Sequence, residues 1–236
     1  MLFLDDIAAF IDDVLDVQRY EFGDDVRSIY RMSEKSVRRM GLALEGSPGV
    51  AAWAQEKKLD ALFLHRPWKL DLDALPPDVG VLAYHLAFDE RLTLGYNPWL
   101  AQMLALHHLE VIGRKAGRPL GMIGQVEGAP CEAWVRRLMG VFGGLDEVHV
   151  PAATEVTTVA FVGAMSEQLV QEAYGAGAQM YVTGQMRASA REAVTRTGMG
   201  VVIAGHRRSE AWGLRTLGGL LPMRFAGLEI EVWGAP

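Results

Sequence analysis

Three of the six histidines stand at the end of short apolar runs: His65 after Ala61–Leu64, His85 after Val79–Tyr84, and His206 after Val201–Ala204 and a glycine. Two of them are followed four residues later by a carboxylate, Asp89 in HLAFD and Glu210 in HRRSE. On a helix, positions i and i+4 share a face, so an imidazole and a carboxylate at this spacing can reach one ion together. Nitrogen and carboxylate oxygen together suit zinc, iron, manganese or a similar divalent cation. One such pair arises often by chance; two pairs, each at the exit of an apolar run, point to a metal site. Taken singly, each histidine reads rather as a half-buried cap on its strand.

The elements that position these residues are legible from periodicity. Residues 5–17 place Ile7, Phe10, Ile11, Val14 and Leu15 at helical spacing, with aspartates on the other face. Residues 41–45 read as a buried strand, and Gly46-Ser47-Pro48 as a helix start with Ser as cap and Pro in the first turn. Strands follow at 61–64 and 79–84, a helix at 97–109, short strands at 118–126 and 145–150, and a helix near 131–142. Strands at 156–162, 179–183, 201–204 and 228–233 then alternate with helices at 166–174, 187–197 and 209–221. This order predicts an α/β fold with largely parallel sheets flanked by helices, and in such sheets ligands bind at the carboxyl ends of the strands. GLALEG and ALFLH are echoed by VAFVG and MYVTG, and VLAYH by VVIAGH. The echo predicts two similar α/β lobes, residues 1–127 and 128–236, forming one structural unit with the metal site between them.

Composition narrows the function classes. Half of the 236 residues are apolar, enough for a large core, and disorder is expected only in short stretches near 20–36 and 127–130. The formal net charge of −6 argues against a phosphate-gripping nucleic-acid binder. Arg187, Arg191, Arg207, Arg208 and Arg215 crowd the C-terminal third and read as solvated helix faces. A single cysteine, Cys131, permits no internal disulfide and reads as a packing residue. The acidic start MLFLDDIAAFIDDVL lacks the basic region of a signal peptide, and no apolar run reaches the length of a membrane span. A cytoplasmic protein without a membrane association is expected. His107 and His108 fall within the stretch read as helix and are taken as surface or packing residues. His149 is placed in a short strand facing solvent or a partner. Ser166 reads as an ordinary helix cap, and Gly163–Ser166 is too loose for a phosphate loop.

Three segments resemble the YbgI-like dinuclear metal-centre proteins, some of which carry the label GTP cyclohydrolase type 2 homologue. Residues 180–217 supply Thr183-Gly184, Gly205-His206, Glu210 and Gly213-Leu214; residues 81–101 supply His85, Asp89, Gly95 and Asn97; residues 59–68 resemble the family's strand ending in His-His-Pro. The resemblance covers about residues 40–220, in the family's order. It implies metal ligands His65, Asp89, His206 and Glu210, one or two divalent ions per subunit, and a homo-oligomer, a hexameric ring. Two departures stand out. Arg66 occupies the place of the second His of that strand, and Gln185 that of a usual acidic residue. An arginine keeps its proton and cannot ligate a metal, so one ion is weakened or lost, or Arg66 pairs with a ligand's phosphate or carboxylate.

Two functions follow. One is a metal-dependent hydrolase that attacks a phosphoester or nucleotide-type substrate with metal-activated water, Arg66 taking over charge near the leaving oxygen and His85 orienting Asp89 or carrying protons. The other is a non-catalytic, ring-forming, metal-bound scaffold or regulatory protein that binds a protein or nucleic-acid partner. A small phosphorylated ligand fits the first, and nucleic acid is the less favoured partner.

Overall fold

Runs of buried aliphatic residues become strands and the amphipathic segments between them become helices in a computed structural model that describes residues 1–20, 29–163 and 165–234. The chain divides into two compact units, residues 1–88 with 213–236, and residues 89–212. In chain order the first contains α1 (Leu4–Leu15), β1 (Ile29–Arg31), β2 (Arg39–Glu45), α2 (Pro48–Glu56), β3 (Ala61–Arg66) and β4 (Gly80–Ala83), followed by the start of α3 (Leu86–Leu92). The second continues with α4 (Pro98–Met103), β5 (His107–Lys115), β6 (Arg118–Pro130), α5 (Cys131–Phe142), β7 (Glu147–His149), β8 (Glu155–Val162), α6 (Glu167–Gly175), β9 (Met180–Thr183), α7 (Arg191–Thr197) and β10 (Gly200–Ile203). Helix α8 (His206–Arg224) begins in the second unit and ends in the first, where β11 (Glu229–Val232) follows. Among the described residues, no helix is long and apolar enough to cross a membrane.

The first unit carries a sheet in the order β1-β4-β3-β2-β11, parallel except for β1. Its strands run in phase, with Leu42 opposite Phe63 and Phe63 opposite Leu82. Ala43, Leu62, Leu64 and Val81 share a core with Val50, Trp53 and Ala54 of α2. The second unit carries the order β5-β6-β8-β9-β10-β7. Here β8, β9 and β10 are parallel, and β5, β6 and β7 pair antiparallel. Successive side chains on a strand alternate faces. Val159, Phe161, Met180, Val182 and Val202 therefore pack with Leu100 of α4 and Trp134, Leu138 and Phe142 of α5. Ala160, Val162, Tyr181, Val201 and Ile203 pack with α6 and α7 on the other side.

Several expectations shift. The units do not part at 127/128: residues 107–115 and 118–130 give β5 and β6 to the second sheet, while β11 returns to pair with β2. Long-range strand pairing decides that boundary, and composition does not record it. The helix read over 97–109 stops at Met103, because Ala105 takes a left-handed backbone (φ 53°) and His107 pairs with Gln125. His107 and His108 are exposed on the edge strand β5 instead. Residues 127–130 are not disordered but form the end of β6, where Ala129 and Pro130 pair with Val156 and Glu155 of β8 after a register shift. Of the stretch 20–36, residues 21–28 lie outside the described residues and 29–31 form β1.

The phase of the first sheet is set at its other end by Asp60. Its carboxylate accepts from the backbone N–H groups of Arg38 (2.9 Å) and Arg39 (3.0 Å) and pairs with Lys35 at 2.9 Å, while its own N–H donates to the Arg39 carbonyl. Burial acts to raise this carboxyl, but the bonds from Lys35, Arg38 and Arg39 outweigh it and hold it below the usual carboxylate range. The unfolded chain therefore binds this proton more readily than the folded one. The stabilisation is complete above the ordinary carboxylate value and fades as pH falls through the lowered one. Replacing Asp60 with Ala is expected to cost about 1–3 kcal/mol at neutral pH. In urea melts across pH, the gap to the parent protein should narrow below about pH 4; a gap constant with pH refutes the assignment.

Candidate metal centre

In the first unit the site grows from an aromatic row. Phe63 stacks on Tyr84 (6.0 Å, 9° between planes) and lies 5.7 Å from Phe88. Two residues on, on the same face of β3, His65 continues the row. It is fully buried, with its ring 4.8 Å from Phe88 and 4.9 Å from His85. Its Nδ1 lies 3.0 Å from the backbone oxygen of Tyr84. A carbonyl only accepts, so Nδ1 carries the proton and Nε2 bears the lone pair, the tautomer a metal-binding histidine requires. Tyr84 is itself held from both ends. Its N–H donates to Leu64 (3.1 Å), and its hydroxyl donates to Asp12 Oδ1 (2.8 Å) and lies 3.3 Å from the Ala8 carbonyl, both on α1. His85 stands just ahead of α3, and Trp68 meets its ring edge-on at 5.1 Å.

In the second unit the ligands come from two helix starts. Gly205 turns the chain from β10 into α8 with φ 88°, and a Cβ there would fall 2.8 Å from Asp146 Oδ2 and 2.9 Å from Arg208 Nη1. Any other residue would be both strained and crowded. The turn makes His206 the first residue of α8, with its backbone oxygen accepting from Ser209 Oγ (2.8 Å). One turn later Glu210 is 2% exposed, and its Oε1 lies 2.8 Å from His206 Nε2. Asp89 sits in the first turn of α3, whose end is tied down: Thr93 Oγ1 donates to the Asp89 oxygen (2.6 Å), and Asn97 donates to Thr93 (2.9 Å) while capping α4.

Asp89, His206 and Glu210 offer ligand atoms that all lie within 4.8 Å of one another. Bonds of about 2.0–2.3 Å hold the donors of one divalent ion within about 4.5 Å, so small rotations bring these three onto a cation. Their chemistry fits as well. Two carboxylates and an imidazole are donor types that hold a divalent cation.

A family model described as Duf34/NIF3 (NGG1p interacting factor 3) matches residues 3–235. The chain belongs to that family. A relative from Pseudomonas aeruginosa named "GTP cyclohydrolase 1 type 2 homolog" is 26% identical over 63% of the chain, which spans only 59% of that relative's length. A relative of the same name from Archaeoglobus fulgidus is 24% identical over 91% of each chain. The solved structure of the protein ybgI, described as of unknown function, superposes with a TM-score of 0.79 at 17% identity, covering 100% of this chain and 99% of that one. At that identity the likeness establishes the NIF3-type fold and nothing about chemistry.

The sequence-predicted residues of this NIF3-family chain thus fall into two groups: His65 with His85 in the first unit, and Asp89, His206 and Glu210 in the second. Arg66 ends β3 with Nη1 3.9 Å from Glu45 Oε1. Gln185, Arg187, Arg191, Arg207 and Arg215 are exposed, and Arg208 pairs with Asp146. His149 lies 2.6 Å from Glu147, Ser166 caps α6 by accepting from Leu169 N–H, and Cys131 is buried, its thiol pushed up by desolvation and by Glu132. Sequence reasoning missed Asp12, Tyr84 and Phe88, because only the packing of α1, the end of β4 and the start of α3 about β3 brings them to His65. Their one legible signal was local to His85, with Tyr84 directly before it and Phe88 three residues after it. Tyr84→Phe should lower stability by about 1–3 kcal/mol through loss of the Asp12 bond. Because the carbonyl that orients His65 remains, thermal melts should shift while the His65 ring resonances stay in the Nδ1–H form by NMR.

Proposed function

We propose that this chain is a metal-dependent hydrolase of phosphoester or nucleotide-type substrates, with Asp89, His206 and Glu210 holding a divalent cation and His65 completing the ligand set that the family resemblance implies. One observation carries the reading: the Asp89 carboxylate and, from more than a hundred residues later in the chain, His206 and Glu210 offer donors within 4.8 Å of one another. Such a donor set suits zinc, manganese or iron(II), one or two ions per subunit. When bound, the ion supplies Lewis-acid polarisation of a phosphoryl oxygen and acidifies water toward neutral pH.

The chain's own residues do the rest. The carboxylates of Asp89 and Glu210 balance the cation's charge. His206 is 62% exposed in its side chain and leaves its side of the group open to solvent and substrate. His85, packed on His65, carries protons. Arg66, permanently charged, pairs with a phosphate oxygen. In this reading the protein works in the cytoplasm as a homo-oligomeric ring, a hexamer by analogy with the family.

A second reading has one observation in its favour. Arg66 stands where the family resemblance calls for a second histidine, and a chain short of one ligand fits a metal-bound scaffold as well as an enzyme.

Elemental analysis of the untagged protein, paired with turnover of a panel of phosphoesters and nucleotides that includes GTP, separates the two. His206→Ala is expected to lower metal content at least several-fold and to lower hydrolysis in step. Arg66→His is expected to raise the metal count. Metal without turnover, even in Arg66→His, favours the scaffold; full metal content in His206→Ala removes the site.

A further inference from the structure

Within the first unit, α1 and the end of α8 enclose a cleft of about 720 Å³, lined among others by Asp6, Phe10, Asp13, Arg224 and Phe225. Its wall on α1 follows from helix spacing. Asp6, Phe10 and Asp13 stand at i, i+4 and i+7 and share one face, beside the buried stripe of Ile7, Ile11 and Val14. Phe10 and Phe225 meet edge to face, with centroids 5.6 Å apart and planes at 83°, and both rings remain half-buried. They give the cleft an apolar floor. Met223, next to Arg224 in the chain, is 84% exposed.

The charges around that floor are of both signs. Asp6 accepts from the Phe3 N–H at 2.9 Å and so closes the start of α1. Asp13 is exposed, and its carboxylate makes no hydrogen bond or ion pair among the described residues. It stands in the last turn of α1, which holds no basic residue, and there the helix dipole favours a cation over an acid. Arg224 lies over the Phe225 ring at 5.1 Å, a contact that leaves its N–H groups available to a carboxylate. Among the described residues it pairs with neither aspartate. A small anion in the cleft would meet Asp6 and Asp13, and a small cation would meet Arg224. A face that holds an acid, a guanidinium and apolar side chains together is instead complementary to itself, because across a two-fold axis residue i of one copy meets residue j of the other and j meets i.

We propose that this cleft is the face on which the chain pairs with a second copy of itself about a two-fold axis. The Arg224 guanidinium of each copy meets the partner's Asp13, and Met223, unbranched and adaptable, enters the partner's cleft over the Phe10 and Phe225 rings. This rests on the preceding reading for the existence of a homo-oligomer and adds the face that forms it; it needs neither the metal nor the hydrolysis.

Light scattering of the full-length, untagged protein after size exclusion tests it. The parent is expected to run as an even-numbered assembly. Asp13→Arg and Arg224→Asp each set like charges against one another across the axis, and each should lower the mass at least twofold at matched concentration. Both positions are exposed, so the circular dichroism spectrum should stay that of the parent. Mixed in equal amounts, the two variants should recover the parent mass, because every contact across a mixed pair again joins an acid to a guanidinium. That recovery is something a misfolded variant could not give. Full mass in both single variants, or no recovery on mixing, overturns the face and leaves the homo-oligomer in place. A monomeric parent overturns both.

Discussion

Glu210 is a carboxylate withdrawn almost wholly from water, 2.8 Å from the imidazole of His206. Burying such a charge costs several kcal/mol unless something of opposite sign or a strong donor meets it. The arrangement around it follows from that need. Gly205 lets β10 turn without an intervening loop into α8, so that His206 and Glu210 share the helix's first turns and the same face. Asp89 adds a second carboxylate from the first turn of another helix. Two carboxylates brought this close repel one another and are drawn together by a cation, which is the physical content of the metal reading.

The same local device occurs twice. In β4 and α3, and again in β10 and α8, a fully buried parallel strand ends, a histidine stands at its exit, and an acid follows one helical turn later. Strands paired in phase end at one level, so each sheet presents its histidine at its carboxyl edge, where side chains leave a rigid base. The two copies differ in setting. His85 is packed against His65 and Trp68, whereas His206 opens its helix and is largely exposed. The first copy is thus suited to orienting and proton transfer, and the second to binding.

His65 illustrates how far the support of one ligand extends. The carbonyl that sets its tautomer belongs to Tyr84, and Tyr84 is anchored through its hydroxyl to Asp12 on the first helix. Arg66, its neighbour, shows the opposite case. A single exchange of residue type replaces a potential ligand with a permanent cation, and so changes what the strand end offers from metal coordination to anion recognition. The anion-pairing role given to Arg66 and the scaffold reading both turn on that exchange.

Much of this was present in local sequence. Apolar runs and helical spacing locate most of the strands and helices but not β1, α3 or β5, and a spacing of four residues pairs His85 with Asp89 and His206 with Glu210, because helix geometry is a property of neighbours in the chain. What lay beyond it depended on residues far apart. The helical pattern of 97–109 gave way at Ala105 to strand pairing with β6. The final strand returned to β2, so the compact units do not follow the two halves of the chain. The proton on His65, the packing of Pro67 and Leu70 on Gly46 and the meeting of Asp89 with Glu210 were likewise decided by tertiary structure, since periodicity records which face a residue takes and not what it will find there.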